Sequence, residues 1–226
     1  MKNIIQSYNL SLLTFIALTF LASCDLAIQK PYEFEPELPT LTTFKDQTAW
    51  DWIQKEKTAD TAKVLNNEKF DLLVQSIKST GLQEEFSKAG DKRTFLLLNN
   101  AAFLGTGKIL ALLITRTTGT VLTIDTLSAA NKVRLGNILK YHIIPDAYVD
   151  QRDALPVLGV PYDFKTLGTA PNDALSIQRA DRYGLTLNTS GNLPATKRTI
   201  TVYRHNYQFG NGIGHILNNY AGLAAY

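Results

Sequence analysis

Three histidines, His142, His205 and His215, are the residues of this 226-residue chain best suited to metal or acid–base chemistry. Three imidazoles suffice for a catalytic zinc ion that keeps water as its fourth ligand. No two of the histidines stand four residues apart and no H-E-x-x-H motif occurs, so their spacing does not support a zinc site on one helix. We therefore predict no metal site and no cofactor.

A nucleophilic serine is the second chemical possibility. The G-x-S-x-G turn that presents such a serine in many hydrolases does not occur in the chain. Ser190, in the stretch "LNTSGN", is flanked by asparagine and glycine, which are typical of a turn. The glycine-rich stretch 210–214, "GNGIG", lacks the spacing and the lysine of a phosphate-binding loop. The sequence therefore predicts that the protein is not an enzyme.

Cys24 is the only cysteine, and its surroundings indicate a specific modification. It follows an apolar run over residues 10–22, which has the length of a signal-peptide core and is shorter than the roughly 20 residues that cross a membrane. "LASC", residues 21–24, resembles a bacterial lipobox. That resemblance implies a signal peptide over residues 1–23 and a lipid, including palmitate-type acyl chains, on Cys24. An ordinary secreted protein with a free thiol is the alternative.

The composition predicts one globular domain behind this leader. The formal net charge is only +3 and no run of basic residues occurs, so we expect no nucleic-acid partner. A single cysteine also excludes an intramolecular disulfide.

Residues 24–47 contain Pro31, Pro36 and Pro39, which favour an extended tether. The remaining residues, 48–226, have the length of one domain.

Helical periodicity is clearest in the first part of the chain. Phe70, Leu73, Val74 and Ile77 fall on one helical face, and Gly81 follows as a C-cap. "AWDWIQKEK", residues 49–57, predicts a short helix whose apolar side carries Trp50 and Ile53, and Leu82 and Phe86 mark a further helical turn. A later stripe over residues 135–142 predicts another helix. Residues 104–134 carry mixed signals.

Strand patterns dominate the rest. "RTFLLLNN", residues 93–100, is a short apolar run that ends in turn residues, as in a buried strand. Beyond Pro145 we predict strands in "YDFKTL", in "ALSIQRADRYGLTLN" on both sides of a turn near residues 181–184, in "RTITVYR" and in "IGHILN". Helices first and strands later indicate one α+β domain.

Three motifs in this order resemble the fasciclin domain. The first signature of that family, T-x-F-A-P-T-N-x-A-F, is matched over residues 94–103, with Leu-Asn in place of Pro-Thr. Its L-x-Y-H-x-x-P-G motif is matched over residues 139–146, with aspartate in place of glycine. Its second signature, N-G-x-x-H-x-x-D, is matched over residues 211–218, with asparagine in place of aspartate. The matching residues, called the signature residues below, are Thr94, Asn100, Phe103, Asn211, Gly212 and His215.

The resemblance implies a wedge-shaped β-sandwich with flanking helices that come mostly from the N-terminal half. It also implies a non-catalytic module for cell adhesion or for binding an extracellular protein or glycan. Together with the lipobox it is similar to surface lipoproteins of Bacteroidota, which sit in the outer membrane. The alternative is an accessory subunit of a TonB-dependent, starch-utilisation-type uptake complex, whose partners are outer-membrane transporter components. Asp25 directly follows Cys24 and resembles an inner-membrane retention signal of some bacteria, so an anchor in the inner membrane is the alternative to one in the outer membrane.

Tyr141 and His142 are the candidate binding residues. Pro145 disfavours helix at Ile144, so we place the pair where a helix gives way to a strand. A histidine on the apolar face is expected to be neutral and to donate a hydrogen bond to the backbone, because a buried polar group without a partner costs about 1 to 3 kcal/mol. The family resemblance also allows Tyr141 to contribute an edge to a partner surface.

Overall fold

The computed structural model describes residues 42–59, 61–62, 64–90, 92–114, 123–181 and 184–223. The predicted signal peptide, Cys24 and most of the predicted tether lie outside these described residues. The helices are α1 (Ala49–Lys55), α2 (Asp71–Thr80), α3 (Gln83–Ser87), α4 (Asn100–Phe103), α5 (Ile109–Leu113) and α6 (Ala129–Tyr141). Within the described part, no helix is both long and apolar enough to cross a membrane.

In the described residues, nine strands form two sheets. They are β1 (Thr42–Phe44), β2 (Arg93–Leu98), β3 (Ile143–Ile144), β4 (Pro161–Lys165), β5 (Ala174–Arg179), β6 (Leu185–Leu187), β7 (Ile200–Thr201), β8 (Arg204–Phe209) and β9 (Gly212–Leu217). The five-stranded sheet has the order β1-β8-β9-β2-β3, in which β1 is parallel to β8 and β2 is parallel to β9. The four-stranded sheet, β4-β5-β6-β7, is antiparallel throughout.

The apolar stripes identified in the sequence face the core. The α2 residues Leu73, Val74 and Ile77 are buried, and Gly81 ends the helix in the left-handed conformation with φ 70°. In α1, whose N-terminus is closed by a Thr48–Asp51 capping box, the buried tryptophan is Trp52 and Trp50 is half-buried. The reason is helical geometry, because Ala49, Trp52 and Ile53 share one face.

The first strand of the five-stranded sheet, β1, lies within the predicted tether. β1 pairs with β8 in the register Thr42 to Tyr207 and Phe44 to Phe209. The Phe44 ring packs 5.6 Å from Trp52 and 6.2 Å from Phe209, measured between ring centroids. The folded unit therefore begins no later than Thr42, because aromatic packing and a parallel ladder hold this short edge strand in place.

The predicted strand "RTITVYR" is divided between the two sheets. Val202 donates its backbone N–H to Leu185 O in the four-stranded sheet, whereas the next residue, Tyr203, donates to Ile216 O in the five-stranded sheet. Buried apolar residues from both sheets and from all six helices form one core. All six described helices precede β3 in the chain. The predicted α+β single-domain class is confirmed.

Candidate functional site

His142 is a buried junction residue. The helix α6 ends at Tyr141, His142 is its C-cap, and β3 begins at the next residue. Its Nδ1 lies 2.7 Å from Ile138 O, and its Nε2 accepts the Ala221 N–H at 3.0 Å. A ring nitrogen that accepts an N–H has no proton of its own, so Nδ1 carries the proton and donates it to Ile138 O. Burial lowers the pKa of His142 from 6.5 to about 4, which keeps the ring neutral near pH 7.

Tyr141 links α6 to the four-stranded sheet. Its hydroxyl oxygen lies 2.8 Å from Ala174 O and 3.1 Å from Asn188 Oδ1, so its one proton is shared between these two acceptors, and burial raises its pKa. Tyr141 and His142 are each only 1% exposed. Neither side chain is available to a partner in the folded domain, so the expected contribution of Tyr141 to a partner surface does not fit the structure. The pair instead connects one helix, both sheets and the C-terminal segment.

His215 holds the loop that follows β3. Its Nδ1 accepts the Asn206 N–H at 3.2 Å, and its Nε2 therefore carries the proton that it donates to Val149 O at 2.8 Å. Thr94 bonds the same loop, since its hydroxyl donates to Ala147 O at 2.6 Å and accepts the Val149 N–H at 2.9 Å. Two signature residues thus satisfy both backbone groups of Val149. Burial lowers the pKa of His215 to about 4.

The three histidines do not form a metal site. Both ring nitrogens of His142 and of His215 already bond the backbone, so neither ring has a lone pair left for a metal ion. His205 is half-buried, and burial lowers its pKa. Among the residues that the structure describes, no group of three or more His, Cys, Asp or Glu side chains could hold a metal ion.

Asn100 caps a helix other than the one that contains it. Its Oδ1 accepts the Leu72 N–H in the first turn of α2 at 2.9 Å. Its Nδ2 donates to Asn66 O and to Asp71 Oδ2, each at 2.8 Å. Asn100 therefore caps α2, although it is itself the first residue of α4. Phe103, three residues further on, is fully buried in the core.

Asn211 ties the β8–β9 turn to two helices. Its Oδ1 accepts the Ala49 N–H at the start of α1 at 2.9 Å. Its Nδ2 donates to Phe86 O at 3.0 Å and to Lys88 O at 3.1 Å at the end of α3. The side chain is fully buried, so water cannot replace these bonds if the amide is removed.

We expect Asn211→Ala to lower the free energy of unfolding by about 3 kcal/mol, because it removes three hydrogen bonds, two of which, with the Ala49 N–H and with Phe86 O, are buried. Urea unfolding followed by circular dichroism measures this loss. Asn192→Ala is the matched control, since the exposed Asn192 amide bonds only Asp163, at 3.2 Å. Its expected effect is below about 0.5 kcal/mol. An equally small loss of unfolding free energy in both variants would show that the Asn211 side chain does not stabilise the contact between the β8–β9 turn and the two helices.

Ser190 belongs to a turn. Its hydroxyl accepts the Asn192 N–H at 3.2 Å and lies 3.3 Å from Asp163 Oδ2, while its own N–H donates to Ser176 Oγ. The bond two residues along the chain is the one that serines make in turns. The turn interpretation of "LNTSGN" therefore agrees with the geometry.

One pocket, which the sequence did not indicate, combines aromatic and charged side chains. We call it the aromatic pocket; it encloses about 250 Å³ and is lined by Phe44, Trp52, Glu56, Asn66, Glu68, Lys69, Phe70, Arg204, Tyr207 and Ile216. The ring centroid of Trp52 lies 5.3 Å from those of both Phe70 and Tyr207. Half-buried Phe44 and Tyr207 present the more accessible rings, because Trp52 is only 6% exposed.

Two ion pairs form the rim of the aromatic pocket. Lys69 Nζ lies 2.6 Å from Glu56 Oε2, and Arg204 lies 3.0 Å from Glu68 Oε2. The Tyr203 hydroxyl donates to Glu68 Oε1 at 2.6 Å, and this bond together with Arg204 lowers the pKa of Glu68. A general acid needs a raised carboxyl pKa, so Glu68 is suited to binding rather than to proton donation.

The residues that line the aromatic pocket are distant in sequence, and the pairing of strands in the folded domain brings them together. Phe44 enters through the pairing of β1 with β8, which also carries Arg204 and Tyr207. The stretch 66–70 reaches the same place from the start of α2. No local spacing rule connects these segments, which is why sequence reasoning missed the site.

Comparison with known proteins resolves the family. The sequence matches the fasciclin domain model over residues 68–220. The chain belongs to the fasciclin domain family. All three motifs lie within the matched stretch, so the fasciclin prediction is confirmed.

A solved fasciclin structure agrees with this fold. It is a FAS1 domain pair from the insect cell adhesion molecule fasciclin I, with a TM-score of 0.52 and 13% sequence identity. The alignment covers 77% of this chain and 50% of that one, so this chain matches half the length of the insect pair. At this identity the likeness concerns the fold alone. No curated protein matches the sequence significantly.

Proposed function

We propose that the chain is a membrane-anchored surface lipoprotein whose fasciclin domain is a non-catalytic adhesion module for an extracellular protein or glycan. The observation that carries the proposal is the fasciclin fold in which two of the three histidines, His142 and His215, are buried. His142 and His215 bond backbone groups through both ring nitrogens, as expected for residues that maintain a scaffold. Such a scaffold leaves binding to the surface, which is where adhesion modules act.

The anchor in this proposal is Cys24. The lipobox resemblance of residues 21–24 and the apolar run before it support lipidation at this cysteine. One acyl chain binds a membrane only marginally, whereas several chains together give a stable anchor. The acidic, proline-containing residues between Cys24 and β1 would then separate the domain from the membrane.

We expect Cys24→Ser to abolish labelling by radioactive palmitate and to release the protein from the membrane fraction of producing cells. The reason is that serine lacks the thiolate on which the lipid is built. Fractionation and immunoblotting measure the release. Ser23→Ala is the matched control, because it keeps a small residue before the cysteine and should remain labelled. A labelled or membrane-bound Cys24→Ser protein would contradict the anchor.

The binding half of the proposal needs a separate test. The detergent-solubilised full chain is presented to immobilised cells, extracellular matrix proteins and polysaccharides. Saturable binding to at least one of them is expected, and no binding across the panel would remove the proposal's main support. A mild-detergent pull-down tests the alternative: recovery of a stoichiometric outer-membrane transporter would favour the accessory-subunit function over adhesion.

A further inference from the structure

We propose that the aromatic pocket binds a single uncharged hexose ring of a glycan. This inference rests on the proposed binding function and names the ligand class and the place where it binds. It is carried by three properties of the pocket: partly exposed aromatic rings on the floor, paired donors and acceptors on the rim, and a charge that sums to zero.

The floor matches the apolar side of a sugar. A hexose ring has a face of C–H groups that packs on aromatic rings, whose faces carry partial negative charge. The rings of Phe44 and Tyr207 are parallel within 7°, with centroids 6.5 Å apart, and both are half-buried. The largely buried Trp52 packs against both of them, with its ring centroid 5.6 Å from that of Phe44 and 5.3 Å from that of Tyr207.

The rim matches the hydroxyl groups of a sugar. A hydroxyl both donates and accepts, so it can bridge a carboxylate and a neighbouring cation. Glu68 and Arg204 offer that combination 3.0 Å apart, and Glu56 and Lys69 offer it 2.6 Å apart. The Arg204 guanidinium has five N–H donors, which it divides among Glu68, Tyr207 and Tyr203, so a sugar hydroxyl would join a set of polar contacts that is already in place. The Arg204 side chain is 50% exposed, so a ligand in the pocket can contact it directly.

The balance of charge decides between classes of sugar. Two carboxylates and two cations give the rim a formal charge of zero. A uronic acid or a sulfated sugar would compete with Glu56 and Glu68 for the cations and would leave a carboxylate without its partner. An amino sugar with a free ammonium would compete for the carboxylates in the same way. An uncharged hexose leaves both ion pairs in place.

The volume limits the ligand to one ring. Pockets for drug-sized ligands start at about 300 Å³, and the aromatic pocket encloses about 250 Å³. A contact of this size binds weakly, with a Kd on the order of 1 mM. Weak binding suits adhesion, because many copies anchored on one surface bind a repetitive glycan with much higher avidity.

The test uses tryptophan fluorescence of the detergent-solubilised full chain, which has only Trp50 and Trp52. The probes are maltohexaose, cellohexaose, mannohexaose and galactohexaose, with hexagalacturonate as the anionic comparison. We expect at least one neutral hexaose to give a saturable change and hexagalacturonate to give none. Arg204→Met should weaken that binding about tenfold, the loss expected for a hydrogen bond to a charged group.

The control for Arg204→Met is Arg134→Met, the same change on α6, outside the pocket lining. It should leave the affinity unchanged. Glu68→Gln is the second pocket variant and should also weaken binding, with a thermal melt to confirm that each variant is folded. Three results would overturn the inference. They are no saturation by any neutral hexaose, folded Arg204→Met and Glu68→Gln proteins that bind as tightly as the unmutated protein, and preferential binding of hexagalacturonate.

The two proposals fail in different ways. If the full chain binds cells or a matrix protein but no neutral hexaose, the pocket inference is wrong and the adhesion function stands. If it binds nothing in either experiment, the adhesion function fails as well. If it binds a protein and Arg204→Met abolishes that binding, the pocket is a protein site and the sugar assignment is overturned.

Discussion

Lowering the pH from 7 to 4 is expected to remove about 6 kcal/mol from the free energy of unfolding, about 3 kcal/mol for each of two buried histidines. Burial lowers the pKa of His142 and of His215 from 6.5 to about 4. Between these values the unfolded chain binds protons that the folded domain does not. The histidine contribution to the free energy of unfolding is therefore complete above about pH 6.5, falls as the pH drops, and is lost below about pH 4.

Urea unfolding at half-unit pH intervals measures this slope. Asp51 and Asp71 have a lowered pKa, so their contributions are present above 3.8 and are lost only below that pH, outside the histidine window. His142→Ala should reduce the proton uptake on unfolding by about one proton between pH 6.5 and 4 and should also lower the melting temperature. Binding by the correctly folded variant should be kept. Stability that does not change between pH 6.5 and 4 would contradict the account of these histidines.

Gly212→Ala is expected to destabilise the domain by more than about 3 kcal/mol, because the new methyl group has no space. Gly212 is the first residue of β9 and pairs with Arg93 of the parallel strand β2. An added Cβ would overlap Arg93 O and would lie 2.9 Å from Arg93 C and 3.0 Å from Phe95 Cε2. Two of these atoms are backbone in the centre of the sheet, so relief requires the strands to separate.

The matched control is Gly136→Ala in α6. An added Cβ there meets only the Thr80 side chain, at an ordinary 3.8 Å. Because alanine favours a helix over glycine, this variant should be stabilised by up to about 1 kcal/mol. Thermal melts of both variants make the comparison. A Gly212→Ala protein as stable as the parent would mean that β2 and β9 do not approach as closely as described.

Elements with strong local periodicity could be predicted from the sequence. The stripe of α2, the continuous apolar run of β2 and the helix that ends at the Tyr-His pair were all predictable, because each is encoded over a few residues. β1 was missed because it is three residues long and follows a proline-rich segment. β8 was missed because "RHNYQF" is polar, as suits a strand whose residues are mostly half-buried or exposed.

The roles of the signature residues could be predicted only in part. The motifs identify which polar residues matter, and the periodicity places His142 on the buried side. The partners of these residues lie far away in the chain: Ala221 for His142, Val149 for His215 and Ala49 for Asn211. Such partners depend on the tertiary structure. The aromatic pocket is the extreme case, since β1, residues 66–70 and β8 meet only after folding.

Protease treatment of intact producing cells tests the central claim, a fasciclin domain displayed on the cell surface, most directly. Proteinase K is added to intact cells and to lysed cells, and the domain is followed by immunoblotting beside a cytoplasmic control protein. We predict that the domain is degraded on intact cells while the cytoplasmic protein survives. A domain that survives until the cells are lysed, although the unprotected protein is digested, would contradict surface display and with it the proposed adhesion function.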